Sequence, residues 1–464
     1  MRSPLLQSVP ALLCVAGISS AQVPTWKPEL LGTPGASWSS LTWPTGVNDA
    51  GVVVGNTYVA GWKHGWVASP DLELQTLPLP VDGVTSEVLD INSSGVAVGQ
   101  VGLSTGVYRA IVWEPTGEGY DFLLLPPGPG GWTPFNARGI NDRGDVVGKY
   151  GFLPGSYYWN EAEGVVQLTT AVFPTVPEDV NEQRQVVGGV YRMDLDTLVV
   201  ETLGHPTGLT FGLLSTVLSR INDAGECVGY STATTSSNYK FLPVRYTDGL
   251  VEPDWTVFSS KQLSAGAVSI SASGDTIFHL GVVGNFVSVG GVGSIELQNT
   301  LDPAHADWDL TDSFVPVISR GGRVAATGAD SSGQVGVILL SPSAFGNLGG
   351  ASRGALGDPV LDGFGELVPG TPTRLRIASA APNSVAVLGW SSSSVPIKLF
   401  GGTLVASPLD LFVALPTDFL GRAEVTFNWP AVPAGTAFYQ QAAVIDGEAQ
   451  VGVALSNGLR CISN

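Results

Sequence analysis

Charge and sulfur are both scarce in this chain. Only 13% of its 464 residues are Asp, Glu, Lys or Arg, and 21 cationic residues face 40 acidic ones. A formal net charge of −19 excludes roles that work by releasing counterions from a polyanion, so neither nucleic acid nor an anionic membrane surface is a partner. Three cysteines cannot make a disulfide framework in a chain of this length. Beyond the N-terminus no segment repeats Ala, Leu, Glu, Lys and Arg at helical period, which excludes long helices. The four histidines, His64, His205, His279 and His305, stand far apart, and none has a second ligand at metal spacing.

What is abundant points to strands. The 60 Gly and 32 Pro are scattered without a collagen-like period, and 44% of residues are hydrophobic. Many turns between short apolar strands follow, and the fold class is all-β. The start, "MRSPLLQSVPALLCVAGISSAQVP", has one early cation, a short apolar run and small residues at Ser19-Ser20-Ala21. It reads as a signal peptide over residues 1–21, and the apolar run is too short for a permanent transmembrane anchor. The mature protein is expected to be secreted, to the extracellular space or the cell surface, as a monomer. Cleavage removes Cys14 and leaves Cys227 and Cys461 in different candidate domains.

One motif recurs: "GVNDAGVVVG" (46–55), "DINSSGVAVG" (90–99), "GINDRGDVVG" (139–148), "DVNEQRQVVG" (179–188) and "RINDAGECVG" (220–229), then the weaker "SISASGDTIF" (269–278) and "VISRGGRVAATG" (317–328). The marker residues Asn48, Asn92, Asn141, Asn181, Asn222, Ser271 and Ser319 are spaced by 44, 49, 40, 41, 49 and 48 residues. That period suits radially arranged four-stranded blades. Within each motif a strand ends, turns and restarts at the valines. The Asn side chain can bond a backbone N–H two residues on, and Gly51, Gly95, Gly144, Gly225, Gly274 and Gly322 take the left-handed position that completes a bulged type I turn. Arg184 stands at that position in the fourth motif, so its turn must differ or be strained.

Companion strands are visible, such as "YRAIVWEP" (108–115) and "YDFLLLPP" (120–127). The last motif lacks a fourth strand of its own, whereas "TWKPELLGTP" (25–34) is a fourth strand without a motif. Pairing the two closes a ring and covers two edges. The expected architecture is a seven-bladed β-propeller over 22–343, with a six- or eight-bladed ring or an open β-solenoid as alternatives. A Gly-rich connection with a first strand follows over 344–370, then seven short strands over 371–464 that suit a β-sandwich.

The repeat resembles the bacterial HAF-type extracellular repeat, whose core reads roughly I-N-x-x-G-x-V-V-G and is followed by an aromatic-bearing strand with an H-A-F element. The resemblance covers 40–250 well and 251–342 less well. The H-A-F element is degraded here to His64-Gly65-Trp66, Arg109-Ala110-Ile111 and Tyr239-Lys240-Phe241. The chain's end looks like a C-terminal module of large secreted bacterial proteins, through "WPAVPAGT" (429–436), "YQQA" (439–442) and "SNGL" (456–459). Both resemblances imply export, and neither implies an activity.

Candidate chemistry is thin, and no catalytic residue is assigned. Gly102-Leu103-Ser104-Thr105-Gly106 matches the G-x-S-x-G elbow but falls between two strands of a blade, where no helix follows. Asp307, Asp309 and Asp312 in "HADWDLTDS" could share a Ca²⁺, although no Gly shapes the turn; otherwise no cofactor is implied. Trp66, Trp113 and Trp159 recur in phase and read as packing between blades. Trp38, Trp43, Trp62 and Trp132 lie near loops and are the candidate ligand contacts. Arg143-Gly144-Asp145 spells an adhesion triplet inside a blade turn, and the Asn-x-Ser at Asn92 overlaps another turn. The functional expectation is a non-catalytic binding or scaffold protein whose loops contact polysaccharide or a surface protein. The alternative is an extracellular hydrolase or lyase acting on polysaccharide, with its site in the axial channel.

Overall fold

The computed structural model describes residues 25–32, 42–151, 155–168, 172–206, 212–234, 239–247, 249–253, 265–280, 284–289, 293–310, 315–342 and 344–464. The expected signal peptide, Trp38 and Asp312 lie outside them. Two compact units are present, Lys27–Ser341 and one built on Pro342–Asn464. No helix among the described residues is long and apolar enough to cross a membrane.

The first unit contains seven four-stranded antiparallel sheets, each propeller-like, with strands in the order a-b-c-d. In the first sheet these are Trp43–Val47, Val53–Val59, Trp62–Ser69 and Leu72–Thr76. The seventh takes strands a, b and c from Val317–Ile318, Val324–Ala329 and Val335–Pro342, and its strand d is the N-terminal Trp26–Gly32. Leu31, Ala325, Val337 and Leu339 of that sheet share one buried cluster with Val47, Val53 and Trp66 of the first. The two ends of the unit therefore meet.

The paired valines of the motif follow from strand geometry. Successive strand residues point to opposite faces, and every face here packs on a neighbour. Val53 joins the core shared with the seventh sheet, while Val54 joins the core shared with the second. Ala97 and Val98, Val146 and Val147, and Val186 and Val187 divide in the same way between successive clusters. The glycine after the valines has another cause. Strand a carries a bulge, for instance between Ala137 and Gly139, that brings its backbone against strand b. A Cβ at Gly148 would collide with the Asn136 carbonyl, and one at Gly229 with the Val217 carbonyl.

The turns take the bulged type I form. At the third, Gly144 N–H donates to the Asn141 carbonyl and Asn141 N–H to the Asp145 carbonyl, each at 3.2 Å. Gly144 has φ +80°, as Gly51, Gly95, Gly225, Gly274 and Gly322 have similar values. Arg184 adopts the same conformation at φ +60°, so the fourth turn is the strained alternative. Its guanidinium is held by Glu163 and Asp196, both at 2.9 Å, by Asp145 at 3.4 Å, and over the Tyr158 ring.

In the second unit, Phe345–Asn347, Leu459–Ile462, Ala437–Ile445, Val385–Ser391 and Leu411–Pro416 form successive strands of one sheet, with Val453–Leu455 beside Ala437–Ile445. A three-stranded sheet holds Val360–Phe364, Pro372–Ala378 and Ala423–Asn428. Leu361, Leu375 and Ile377 of the smaller sheet share a core with Leu388, Ala442, Val444 and Leu459 of the larger. The Gly-rich segment 344–370 supplies two of these strands, Phe345–Asn347 and Val360–Phe364. Cys227 and Cys461 are both buried and free, and burial pushes each thiol well up from its ordinary range.

Open space surrounds Gly144, so Gly144→Val costs only the left-handed backbone, about 1–2 kcal/mol. The exposed Arg143→Ala should stay within about 0.5 kcal/mol of the parent. Thermal melts of the two variants check this, and equal losses would remove the bulge account.

Candidate functional site

The marker asparagines do more than shape their own turns. Asn48 Oδ1 accepts from Ala50 and Val52 N–H at 3.1 and 2.9 Å, while its Nδ2 donates to the Asn92 carbonyl of the next sheet at 3.1 Å. The relay continues from Asn92 to Asn141 at 3.1 Å, Asn141 to Asn181 and Asn181 to Asn222 at 2.9 Å, and Asn222 to Ser271 at 3.2 Å. Ser271 and Ser319 keep the local bond, accepting from Asp275 and Arg323 N–H, but a hydroxyl is too short to reach onward. There Ala272 N–H donates to the Arg320 carbonyl at 2.9 Å, and Gly321 N–H to Asp49 Oδ1 at 2.6 Å.

The residue after each marker builds a second ring. Ser93 N–H donates to Asp142 at 2.7 Å, Asp142 N–H to Glu182 at 2.5 Å, and Glu182 N–H to Asp223 at 3.1 Å. From the seventh sheet Arg320 places Nε 2.6 Å from Asp223 and Nη1 3.9 Å from Asp142, pairing with the fifth and third sheets. Enclosure, with Asp223 and Asp142 nearby, raises the Glu182 pKa.

A third layer lies two residues before each marker, on the same strand face. It holds Asp90, Asp179 and Arg220. Asp90 Oδ2 accepts from Ile140 N–H of the next sheet at 3.1 Å; Asp179 accepts from Val180 at 2.8 Å and from Ile221 of the next sheet at 3.0 Å. Arg220 Nη1 donates to its neighbour's carbonyl, Ser219 O, at 3.2 Å. These layers line a central cavity of about 160 Å³ that all seven sheets share. Enclosure raises the Asp90 carboxyl, and it lifts Asp179 to about 7, although Arg220 and the backbone N–H groups pull both back.

The candidates named from sequence fall elsewhere. Asp307 and Asp309 are exposed, Asp309 pairs through its backbone with Ala329, and no group of three or more His, Cys, Asp or Glu among the described residues is placed to hold a metal. Ser104 sits in a hairpin between strands b and c. Asp145 of the adhesion triplet is buried, accepting from Asn141 and Asn160, so its carboxylate does not face solvent. Trp66 and Trp113 are fully buried and Trp159 is half-buried.

Trp43, Trp62 and Trp132 gather at the opposite end of the sheets from the marker turns. Trp43 pairs in register with Asn56, far from the Val47–Val53 turn end, and Trp62 opens strand c at 57% exposure. Trp43 and Tyr58 have ring centroids 6.0 Å apart, with the Lys63 ammonium 5.9 Å from the Trp43 ring. Tyr108 and Phe135 pair at 5.4 Å and Trp132 and Tyr150 at 4.3 Å in the next two sheets. An aromatic face thus spans three consecutive sheets. Sequence reasoning missed Asp90, Asp179, Arg220 and Arg320. The usable signal was their even offset from the marker, or direct adjacency to it at the turn.

No protein-family model matches the chain, and no curated protein matches it. Among solved structures, selenomethionine-substituted virginiamycin B lyase from Staphylococcus aureus is 12% identical and matches over 68% of this chain and 99% of its own, with a TM-score of 0.41. An AofleA variant from Arthrobotrys oligospora is 8% identical over 88% of this chain and 94% of its own, at 0.31. The extracellular domain of the hybrid two-component system BT3049 from B. thetaiotaomicron is 8% identical over 94% of this chain, 57% of its own length and 0.27. At these identities and TM-scores nothing about activity passes to this chain, and its fold rests on its own seven four-stranded sheets. The chain is all-β with a β-propeller-like repeat of four-stranded sheets.

Asn141→Ala removes both the local and the onward bonds and should cost about 2–4 kcal/mol. Asn141→Ser keeps the local bond, as Ser271 and Ser319 do, and should cost roughly half as much; equal melting points for the two variants would contradict the relay. A second expectation concerns pH. Asp179 holds its proton to about 7 in the fold against an ordinary 3.8, so its contribution to stability is complete below about pH 4 and lost as pH rises through about 7. Melting temperature measured across that window should fall less steeply in Asp179→Asn than in the parent.

Proposed function

We propose that this chain is an exported, non-catalytic binding protein of the HAF-repeat type, a seven-bladed propeller followed by a β-sandwich module, and that its aromatic face contacts polysaccharide. The observation that carries this reading is the exposed Trp62 at the same end of the first sheet as the half-buried Trp43 and Tyr58, continued by the exposed Tyr108 and the half-buried Phe135 in the next sheets. Flat aromatic rings offer large contact area at low entropic cost, and the C–H faces of a pyranose stack on them. Lys63, near the Trp43 ring and paired with Glu87 at 2.9 Å, adds donors at the edge of the same surface.

The enzyme reading draws support from Asp90 and Asp179, which do come close enough to influence each other inside the channel. Two features weigh against it. Each carboxylate already accepts a backbone N–H from the next sheet, which gives it a structural duty. The cavity of about 160 Å³ is also well below the roughly 300–1,000 Å³ usual for organic ligands of drug size.

A glycan array with the mature protein tests both readings. Binding to at least one polysaccharide class is expected, weakened tenfold or more by Trp62→Ala and by Trp43→Ala with unchanged melting temperature. Depolymerisation of a bound polysaccharide by the parent but not by Asp179→Asn would establish the enzyme instead.

A further inference from the structure

Arg220, which lines the channel, leaves most of its hydrogen-bonding capacity unused within the ring. A guanidinium carries five N–H donors in a fixed fork. Arg220 makes a single hydrogen bond, to the Ser219 carbonyl. Its charge nevertheless sits in the field of both Asp90 and Asp179, without either carboxylate touching it. Elsewhere in the chain arginines close such gaps. Arg320 reaches Asp223 at 2.6 Å, and Arg376 grips Asp362 with Nε at 3.1 Å and Nη2 at 2.9 Å. Arg220, Asp90 and Asp179 all line the central cavity, whose volume is that of several water molecules.

The chemistry that fits this gap is specific. An occupant must present acceptor oxygens to the Arg220 fork, for which a carboxylate is the best match. It must also present a donor to Asp90 and Asp179. Each of their oxygens that already takes a backbone N–H has a second lone pair to offer. A simple anion is disfavoured, because six carboxylates and only two guanidinium groups line the cavity. A simple cation meets the acids but leaves the arginine's donors without acceptors and stands beside a like charge. A molecule with both charges satisfies both walls.

We propose that the axial cavity is a binding site for a small zwitterion of the amino-acid class, its carboxylate on Arg220 and its ammonium between Asp90 and Asp179. This site is independent of the aromatic face and stands whether or not the protein binds polysaccharide. No bond is made or broken. The ammonium favours ionised acids, and because enclosure raises both carboxyls, affinity falls as pH drops below about 7.

Isothermal titration calorimetry of the full mature chain tests this at about pH 8 with glycine and β-alanine as probes, and with acetate and methylammonium as the two single-charge controls. At least one zwitterion is expected to bind tenfold or more tightly than either control. Arg220→Gln should weaken it tenfold or more, and Asp90→Asn should do likewise, while Arg143→Ala changes nothing. Acetate binding as tightly as the zwitterions would make the site an anion site and overturn the proposal. So would the absence of any heat at millimolar probe, or unchanged affinity in Arg220→Gln. The comparison of probes uses the parent protein alone, so it decides the matter even if the channel variants do not fold.

Discussion

An asparagine side chain that serves two turns at once organises the first unit. Its carbonyl oxygen accepts the N–H groups of its own turn, and its amide donates to the marker carbonyl of the next sheet, as from Asn141 to Asn181. No other short side chain has both an acceptor to close the local turn and a donor long enough to reach on. Serine does the first job and not the second. The sixth and seventh sheets show the consequence, since Ser271 and Ser319 close their turns while backbone groups, Asp49 and Arg320 hold the junctions. Turn geometry and inter-sheet spacing are thereby coupled, and the sheets cannot shift without breaking turns.

The channel chemistry follows from that coupling. Once the markers are fixed, residues one ahead and two behind face the same central space. Carboxylates there find backbone N–H groups of the next sheet within reach, and so Asp142, Glu182, Asp223, Asp90 and Asp179 become part of the ring. The acids that sequence reading could treat as free catalytic groups are largely structural. Arginines at the equivalent positions behave differently from one another. Arg320 spans to acids of other sheets, whereas Arg220 lines the cavity and bonds only the carbonyl of its own neighbour Ser219.

Much of the fold was legible because its signal is local. Asn48, Asn92, Asn141 and Asn222, with glycines three residues on, specify a turn whose geometry depends on four or five residues. The paired valines record strands buried on both faces. The orphan strand near residue 26 could be assigned to the last sheet because only one sheet lacked a partner. The sites were less legible. Trp43 and Trp62 could be named from their loop positions, but not their shared end with Tyr108 and Phe135. The Arg143-Gly144-Asp145 triplet was already legible as a blade turn, but the burial of Asp145 against Asn141 and Asn160 was not.

The sequence by itself determined the strand content, the repeat and the turn type wherever a glycine follows the marker by three residues, since each depends on propensity, steric limits at φ > 0 and alternation within a few residues. Only the tertiary structure decided which side chains share the axis. Asp90, Asp179 and Arg220 are separated by tens of residues, and nothing local links them. They meet because the seventh sheet packs on the first, and that closure turns a linear series of turns into the wall of one cavity.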